Sequence, residues 1–129
     1  IRTRNANILI KHLKDLPNLI VPIPREGLIH AWYKFNCYLN FNAIASDWNR
    51  ERIINEIRNE KYPAFSGSCS EIYLEKCFKK NNIFQNKRLC NARKLGETSL
   101  MFLLHPTIDK NNMEAYAKII KKVLLKAIR

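Results

Sequence analysis

The densest group of chemistry-bearing side chains is Tyr62-Pro-Ala-Phe-Ser-Gly-Ser-Cys-Ser70, which packs three hydroxyls, a phenol, a thiol and a glycine into nine residues. Such a run can bind a polar ligand, because hydroxyls and amides donate and accept while Gly67 permits backbone angles closed to other residues. Loops carried between regular elements are the usual place for binding groups. The same run also reads as an ordinary connection, rather long for that purpose. The residues alone name no ligand. His12, His30 and His105 are potential acid–base groups, since histidine changes charge near neutral pH. None has a nucleophile beside it in an elbow motif, and Gly67-Ser-Cys-Ser70 departs from G-x-S-x-G. Neither a P-loop nor a G-x-G-x-x-G turn is present, so a glycine cradle for phosphate is unsupported. Cys37, Cys69, Cys77 and Cys90 contain no C-x-x-C pair. Zinc held by Cys69, Cys77, Cys90 and His105 is therefore disfavoured, and free thiols in a reducing, cytoplasmic compartment are expected.

The chain carries 23 Lys and Arg against 11 Asp and Glu, a formal charge of +12 on 129 residues. With 47% hydrophobic and 26% charged residues it can bury a core, which excludes a disordered tail. Its longest apolar runs, such as Leu100 to Leu104, are far too short to cross a bilayer. The opening at Ile1 is directly helical in pattern, so no secretory leader and no membrane partner are expected. Lys118, Lys121, Lys122, Lys126 and Arg129 line one side of the last helical pattern. They could meet a polyanion. A solvated face near a helix C-terminus explains them as well, and a compositional excess of lysine accounts for the net charge. Trp32, Tyr33, Phe35 and Tyr38 lie on both faces of one strand pattern, which suits core packing better than a base-stacking platform. A small basic nucleic-acid-binding module stands as the alternative function.

These residues must be positioned by the regular elements around them. Ala6, Leu9, Ile10, Leu13 and Leu16 have the spacing of an amphipathic helix that Pro17 ends. Pro22 to Gly27 is an extended, turning connection. From Ala31 to Leu39 a period of two predicts a strand with its odd face, Tyr33 included, more buried. Ser46 or Asp47 caps a helix that turns Ile53, Ile54 and Ile57 inward and Arg50, Arg52, Glu56 and Arg58 to water. Short helices follow over Glu71 to about Lys80 and Lys87 to Leu95, separated by a polar loop at Asn81, Asn82 and Asn86. Ser99 to Leu104 is a strand covered on both faces. Met113, Tyr116, Ala117, Ile120, Val123, Leu124 and Ala127 mark the buried face of a long closing helix. The pattern predicts a single α+β domain over residues 1–129, with a small, mainly antiparallel sheet covered by helices.

Several blocks in order carry a family resemblance. They are Arg2-Thr-Arg-Asn5-Ala6 with Leu13; Leu19 to Pro24 before His30-Ala-Trp32-Tyr-Lys-Phe35; Arg52 to Glu60 with Tyr62-Pro63; Ala92, Leu95 and Gly96 to Pro106; and the helix from Lys110 onward. Together they resemble the C-terminal third of the DegT/DnrJ/StrS aminotransferases, which use pyridoxal 5'-phosphate (PLP) to aminate keto sugars linked to nucleotides.

That resemblance implies the small domain of a fold-type I PLP-dependent transferase whose large, PLP-binding domain is absent here. The parent would take a nucleotide-sugar substrate and glutamate as amino donor, act as a homodimer, and serve surface-polysaccharide or amino-sugar synthesis. It implies substrate contacts from the loop, with Tyr62, Ser66, Ser68 and Ser70 as the candidates. Ala64-Phe-Ser-Gly-Ser-Cys-Ser-Glu-Ile-Tyr73 replaces the proline and histidine that many members carry there, so a histidine contact is not transferred. The lysine and carboxylate that hold PLP lie in the family's large domain. The chain alone is therefore expected to bind no PLP and to have no catalytic residue of its own. A sensor domain that is not an enzyme is a further alternative on the same scaffold.

Overall fold

The computed structural model describes residues 1–67, 69–80 and 88–129. Helix α1 (Arg2–Leu13) buries Ala6, Ile8, Leu9 and Leu13 along one stripe. Its Asn5 is fully buried and donates to the Ile108 carbonyl at 3.0 Å, fixing the helix start to the turn that precedes the last helix. Strand β1 is only Leu19–Ile20, and β2 (Lys34–Leu39) alternates buried Phe35, Cys37 and Leu39 with more open Lys34, Asn36 and Tyr38. Helix α2 (Arg50–Asn59) turns Ile53, Ile54 and Ile57 inward. A 3₁₀ turn at Ile72–Leu74 leads into α3 (Lys76–Lys80). Helix α4 (Cys90–Thr98) runs directly into β3 (Ser99–Leu103), of which four residues are buried. Helix α5 (Lys110–Lys126) closes the chain.

The strands form one antiparallel sheet in the order β1-β2-β3. Register places Phe35 opposite Phe102 and Cys37 opposite Leu100, so their side chains share the core face. Helix α5 packs against both α1 and α2. Its Tyr116 meets Phe102 edge-on at 6.0 Å, which seats the helix layer on the sheet. Each large aliphatic side chain in this layer contributes roughly 1.5–3 kcal/mol by leaving water. His12 and Glu114 meet at 2.8 Å across α1 and α5. The outer edge of β3 is bridged by Phe65, whose N–H donates to the Met101 carbonyl at 3.1 Å and whose carbonyl accepts from Met101 at 2.8 Å.

The α+β class, the helix faces and the two long strands agree with the sequence reading, and several local expectations change, among them the helix expected from Glu71, which is a 3₁₀ turn at Ile72–Leu74 followed by a helix only from Lys76. Helix α2 is capped by Asn49, which accepts from the Arg52 N–H at 2.8 Å, rather than by Ser46 or Asp47. Asp47 instead accepts from the Arg52 guanidinium at 2.8 Å. The strand begins at Lys34, because Trp32 adopts φ +50 and reverses the alternation before it. Trp32 is consequently buried and Tyr33 exposed, the opposite of a strand continued back to Ala31. The second short helix extends to Thr98, past the Leu95 boundary. The polar loop at Asn81, Asn82 and Asn86, and Lys87 with it, lies outside the described residues.

Candidate functional site

At the end of α2, Lys61 takes a left-handed conformation (φ +67) and turns the chain out of the helix. Tyr62 then stacks on Tyr116, ring centroids 5.3 Å apart and planes within 9°. The Tyr116 hydroxyl donates to the Pro63 carbonyl. Arg58 holds the next step, donating from Nε to the Ala64 carbonyl at 2.9 Å with its guanidinium over the Phe65 ring. From there the loop crosses the end of β3. Ser99 Oγ donates to the Ser66 carbonyl, and Gly67 sits at φ +88, where a Cβ would come within 2.8 Å of that hydroxyl. A side chain at 67 is thus excluded twice, by backbone conformation and by space. Ser70 closes the loop against Gly96 of α4, where a Cβ would stand 2.0 Å from Ser70 Oγ and 2.9 Å from its Cβ.

The loop and α4 enclose a cleft of about 270 Å³ lined by Ser66, Gly67, Cys69, Ser70, Arg50 and Glu71 among others. Arg50 has a structural reason to be there. Gly96 lies in the last turn of α4, where carbonyls lack intrahelical partners, and the Arg50 guanidinium donates to its oxygen. The far wall is fixed by charge. Glu71 accepts from Arg88 and from the Tyr73 hydroxyl at 2.6 Å, and that hydroxyl accepts from the Leu89 N–H at 2.9 Å. Hydrogen bonds from Arg88 and then Tyr73 hold the Glu71 carboxyl down at about 2. Arg93 pairs with Glu97 at 2.7 Å.

Binding chemistry fits this arrangement better than bond-breaking chemistry. Its polar atoms are serine hydroxyls, backbone amides and charges already paired within the wall. Cys69 donates its S–H to Glu75 at 3.2 Å, and that hydrogen bond raises the thiol above its usual range, so a thiolate is disfavoured. His105 bonds to Thr107 at 2.7 Å and His30 accepts from the Trp32 N–H at 2.8 Å; neither touches a serine or cysteine. Among the described residues no group of three or more His, Cys, Asp and Glu side chains could hold a metal. Among the lysines whose side chains the structure describes, none is buried. A PLP site needs a lysine enclosed with a carboxylate and a phosphate cradle. The described residues supply no such enclosure, so they do not fit the cofactor by themselves.

Of the four sequence-derived candidates, the structure brings Ser66 and Ser70 to one cleft. Tyr62 lies at the base of the loop with its ring against Tyr116, and Ser68 lies outside the described residues. Arg50, Gly96 and the Glu71–Arg88–Tyr73 set were not singled out from sequence. A helical pattern reads Arg50 as a solvated charge; only the fold that brings Gly96 near the start of α2 gives its guanidinium a carbonyl to bond. No described helix is long and apolar enough to cross a membrane.

Comparison with known proteins follows the same outline. No protein-family model and no curated protein matches the chain. Among solved structures, an aminotransferase from Psychrobacter cryohalolentis matches with 36% identity and a TM-score of 0.90, over 98% of this chain and 34% of that one. A DegT DnrJ EryC1 StrS aminotransferase from Brucella abortus matches at 19% identity and TM-score 0.73, over 94% of this chain and 30% of its own. Helicobacter pylori PseC, an aminotransferase involved in pseudoaminic acid biosynthesis, matches at 13% identity and TM-score 0.80, over 97% and 32%. The last two likenesses speak to fold alone. The chain spans about a third of the length of the structures it matches.

Proposed function

From a chain that shares its fold with the DegT/DnrJ/EryC1/StrS-type sugar aminotransferases along nearly its whole length, we infer the small domain of a PLP-dependent aminotransferase acting on a nucleotide-linked keto sugar. The observation that carries this reading is the 36% identity and TM-score of 0.90 to the Psychrobacter aminotransferase over 98% of the chain. In this reading residues 1–129 are one domain of a longer, homodimeric enzyme that takes its amino group from glutamate. PLP supplies the electron sink for moving the amino group and is held by the remainder of that enzyme. This domain's share is substrate contact and closure of the site. Ser66 and Ser70 hydrogen-bond sugar hydroxyls from the cleft, Ser68 lies between them in the chain, and Tyr62 anchors the loop that presents them. Alone, the domain is silent.

A chimera tests the assignment of the loop. The Psychrobacter enzyme would carry this chain in place of the third it matches. Tyr62→Ala, Ser66→Ala or Ser70→Ala in that chimera should lower turnover while PLP absorbance is retained. Loss of PLP absorbance in these variants would show that the loop serves the cofactor instead.

A further inference from the structure

The connection from Val21 to Tyr33 has no helix or strand, and with Lys34, Asn36 and Tyr38 of β2 it encloses a cleft of about 460 Å³ on the side of that strand away from the core. Pro22, Pro24 and Leu28 belong to this wall, and Trp32 ends it. The Trp32 backbone lies at φ +50, a conformation that costs a bulky residue free energy and persists only where its neighbours enforce it. Two contacts do so. The buried ring stacks on Phe35 with centroids 5.8 Å apart, and the N–H donates to Nδ1 of His30 at 2.8 Å.

The second contact depends on protonation. An Nδ1 that accepts a hydrogen bond keeps its lone pair, so the neutral ring carries its proton on Nε2. A second proton puts an N–H on Nδ1, and the Trp32 amide then faces a donor. Histidine makes this change near neutral pH. His30 is exposed, so solvent delivers the proton without rearrangement of the core. The indole, its centroid 4.3 Å away and its plane tilted by 45°, attracts the charged ring but offers the amide nothing. The charged or titratable groups that line the cleft with His30 are Lys34 and Tyr38 of β2, while Arg25 and Glu26 lie on the connection itself. The Lys34 ammonium sits over the Tyr33 ring, 5.6 Å from its centroid. Among the described lining residues none is Asp or Glu, so no carboxylate is at hand to take over the protonated ring. Lysine and tyrosine change charge well above the histidine range.

The geometry points to His30 and Trp32 as a pH-operated latch. Neutral His30 pins the Trp32 turn and keeps the connection closed over Lys34, Asn36 and Tyr38; protonated His30 releases the turn and with it the wall of the cleft. The latch is complete with His30 neutral and weakens as pH falls through its titration. Loss of one net hydrogen bond raises the ratio of open to closed chains about fivefold, and the donor left facing the amide adds to that. The latch is a property of this connection and stands whether or not the chain serves an aminotransferase.

Amide hydrogen exchange of the 129-residue chain, read by nuclear magnetic resonance from about pH 8 to about pH 5, tests the latch. Corrected for the intrinsic pH dependence of exchange, protection of the Trp32 amide should fall at least about fivefold in one sigmoidal step. The Met101 amide, bonded to the Phe65 carbonyl at 2.8 Å, should keep its protection throughout. His30→Asn retains an acceptor for the N–H two residues on and does not titrate, so Trp32 should stay protected across the range. His30→Ala removes the acceptor and should hold Trp32 at the low-pH level at every pH. Far-UV circular dichroism reports whether each variant keeps its fold, and the wild-type titration decides without them. Trp32 protection that is flat in the wild type, a step that survives in His30→Asn, or a His30→Ala chain as protected as wild type at about pH 8 would overturn the latch. A step shared by Met101 would overturn it too, because the transition would then be loss of the sheet.

Discussion

Replacing Gly96 by Ala sets two known effects against each other. In the last turn of α4 the substitution gains at most the roughly 1 kcal/mol by which alanine exceeds glycine in a helix interior. Gly96, however, is where Ser70 of the 62–70 loop docks. The added Cβ would stand 2.0 Å from Ser70 Oγ and 2.9 Å from Ser70 Cβ, so rotating the hydroxyl away does not clear the second contact. The backbone at 70 must move, and overpacking of this kind costs about 1–3 kcal/mol. Gly96→Ala should therefore be net destabilising by about 1 kcal/mol. Ser70→Ala removes the worse contact and keeps the Cβ, so the double variant should recover part of the loss. A coupling of about 0.5–1 kcal/mol is expected from the cycle of wild type, both singles and the double. Urea denaturation followed by circular dichroism measures all four. A Gly96→Ala protein as stable as wild type or more so, with no coupling to position 70, would refute the docking of the loop on α4.

Other outcomes follow from single contacts. Asn49→Ala removes the hydrogen bond to the Arg52 N–H and should cost about 1 kcal/mol in urea denaturation. The Glu71 carboxyl is depressed to about 2 in the folded chain from 4.5, so its contribution is complete above pH 4.5 and fades as pH falls toward 2. The stability difference between wild type and Glu71→Gln, measured by denaturation at successive pH values, should accordingly be largest near neutrality and shrink across that window. Burial pushes the Cys37 thiol well above its usual range, while Cys69, Cys77 and Cys90 are exposed. A thiol reagent at mildly alkaline pH should label those three in the native chain, with Cys69 slowed by its bond to Glu75, and reach Cys37 only on unfolding.

Periodicity made α1, α2 and α5 legible, because a helix must place its apolar residues on the stripe that meets the core. The α5 residues Met113, Tyr116, Ala117, Ile120, Val123 and Leu124 are all buried. Strands β2 and β3 were legible for the matching reason in a period of two and in an unbroken apolar run. What patterning could not show was whatever depends on two distant segments meeting. Trp32 breaks the strand through a φ no alternation encodes, held by its bond to His30 and its stack on Phe35. Arg50 and Gly96 are 46 positions apart, and only the packed fold makes one the partner of the other. The loop drew notice through its composition, and Ser66 and Ser70 do share a cleft.

The chimera with the Psychrobacter enzyme tests the proposed role of this chain as the small domain of a PLP-dependent sugar aminotransferase. Loaded with PLP and given glutamate and a panel of nucleotide-linked keto sugars, the chimera should form an amino sugar, while the 129-residue chain alone, under the same conditions, should neither develop visible PLP absorbance nor consume glutamate. A chimera that is folded and PLP-loaded yet aminates none of the sugars, or a chain that transaminates by itself, would contradict the account.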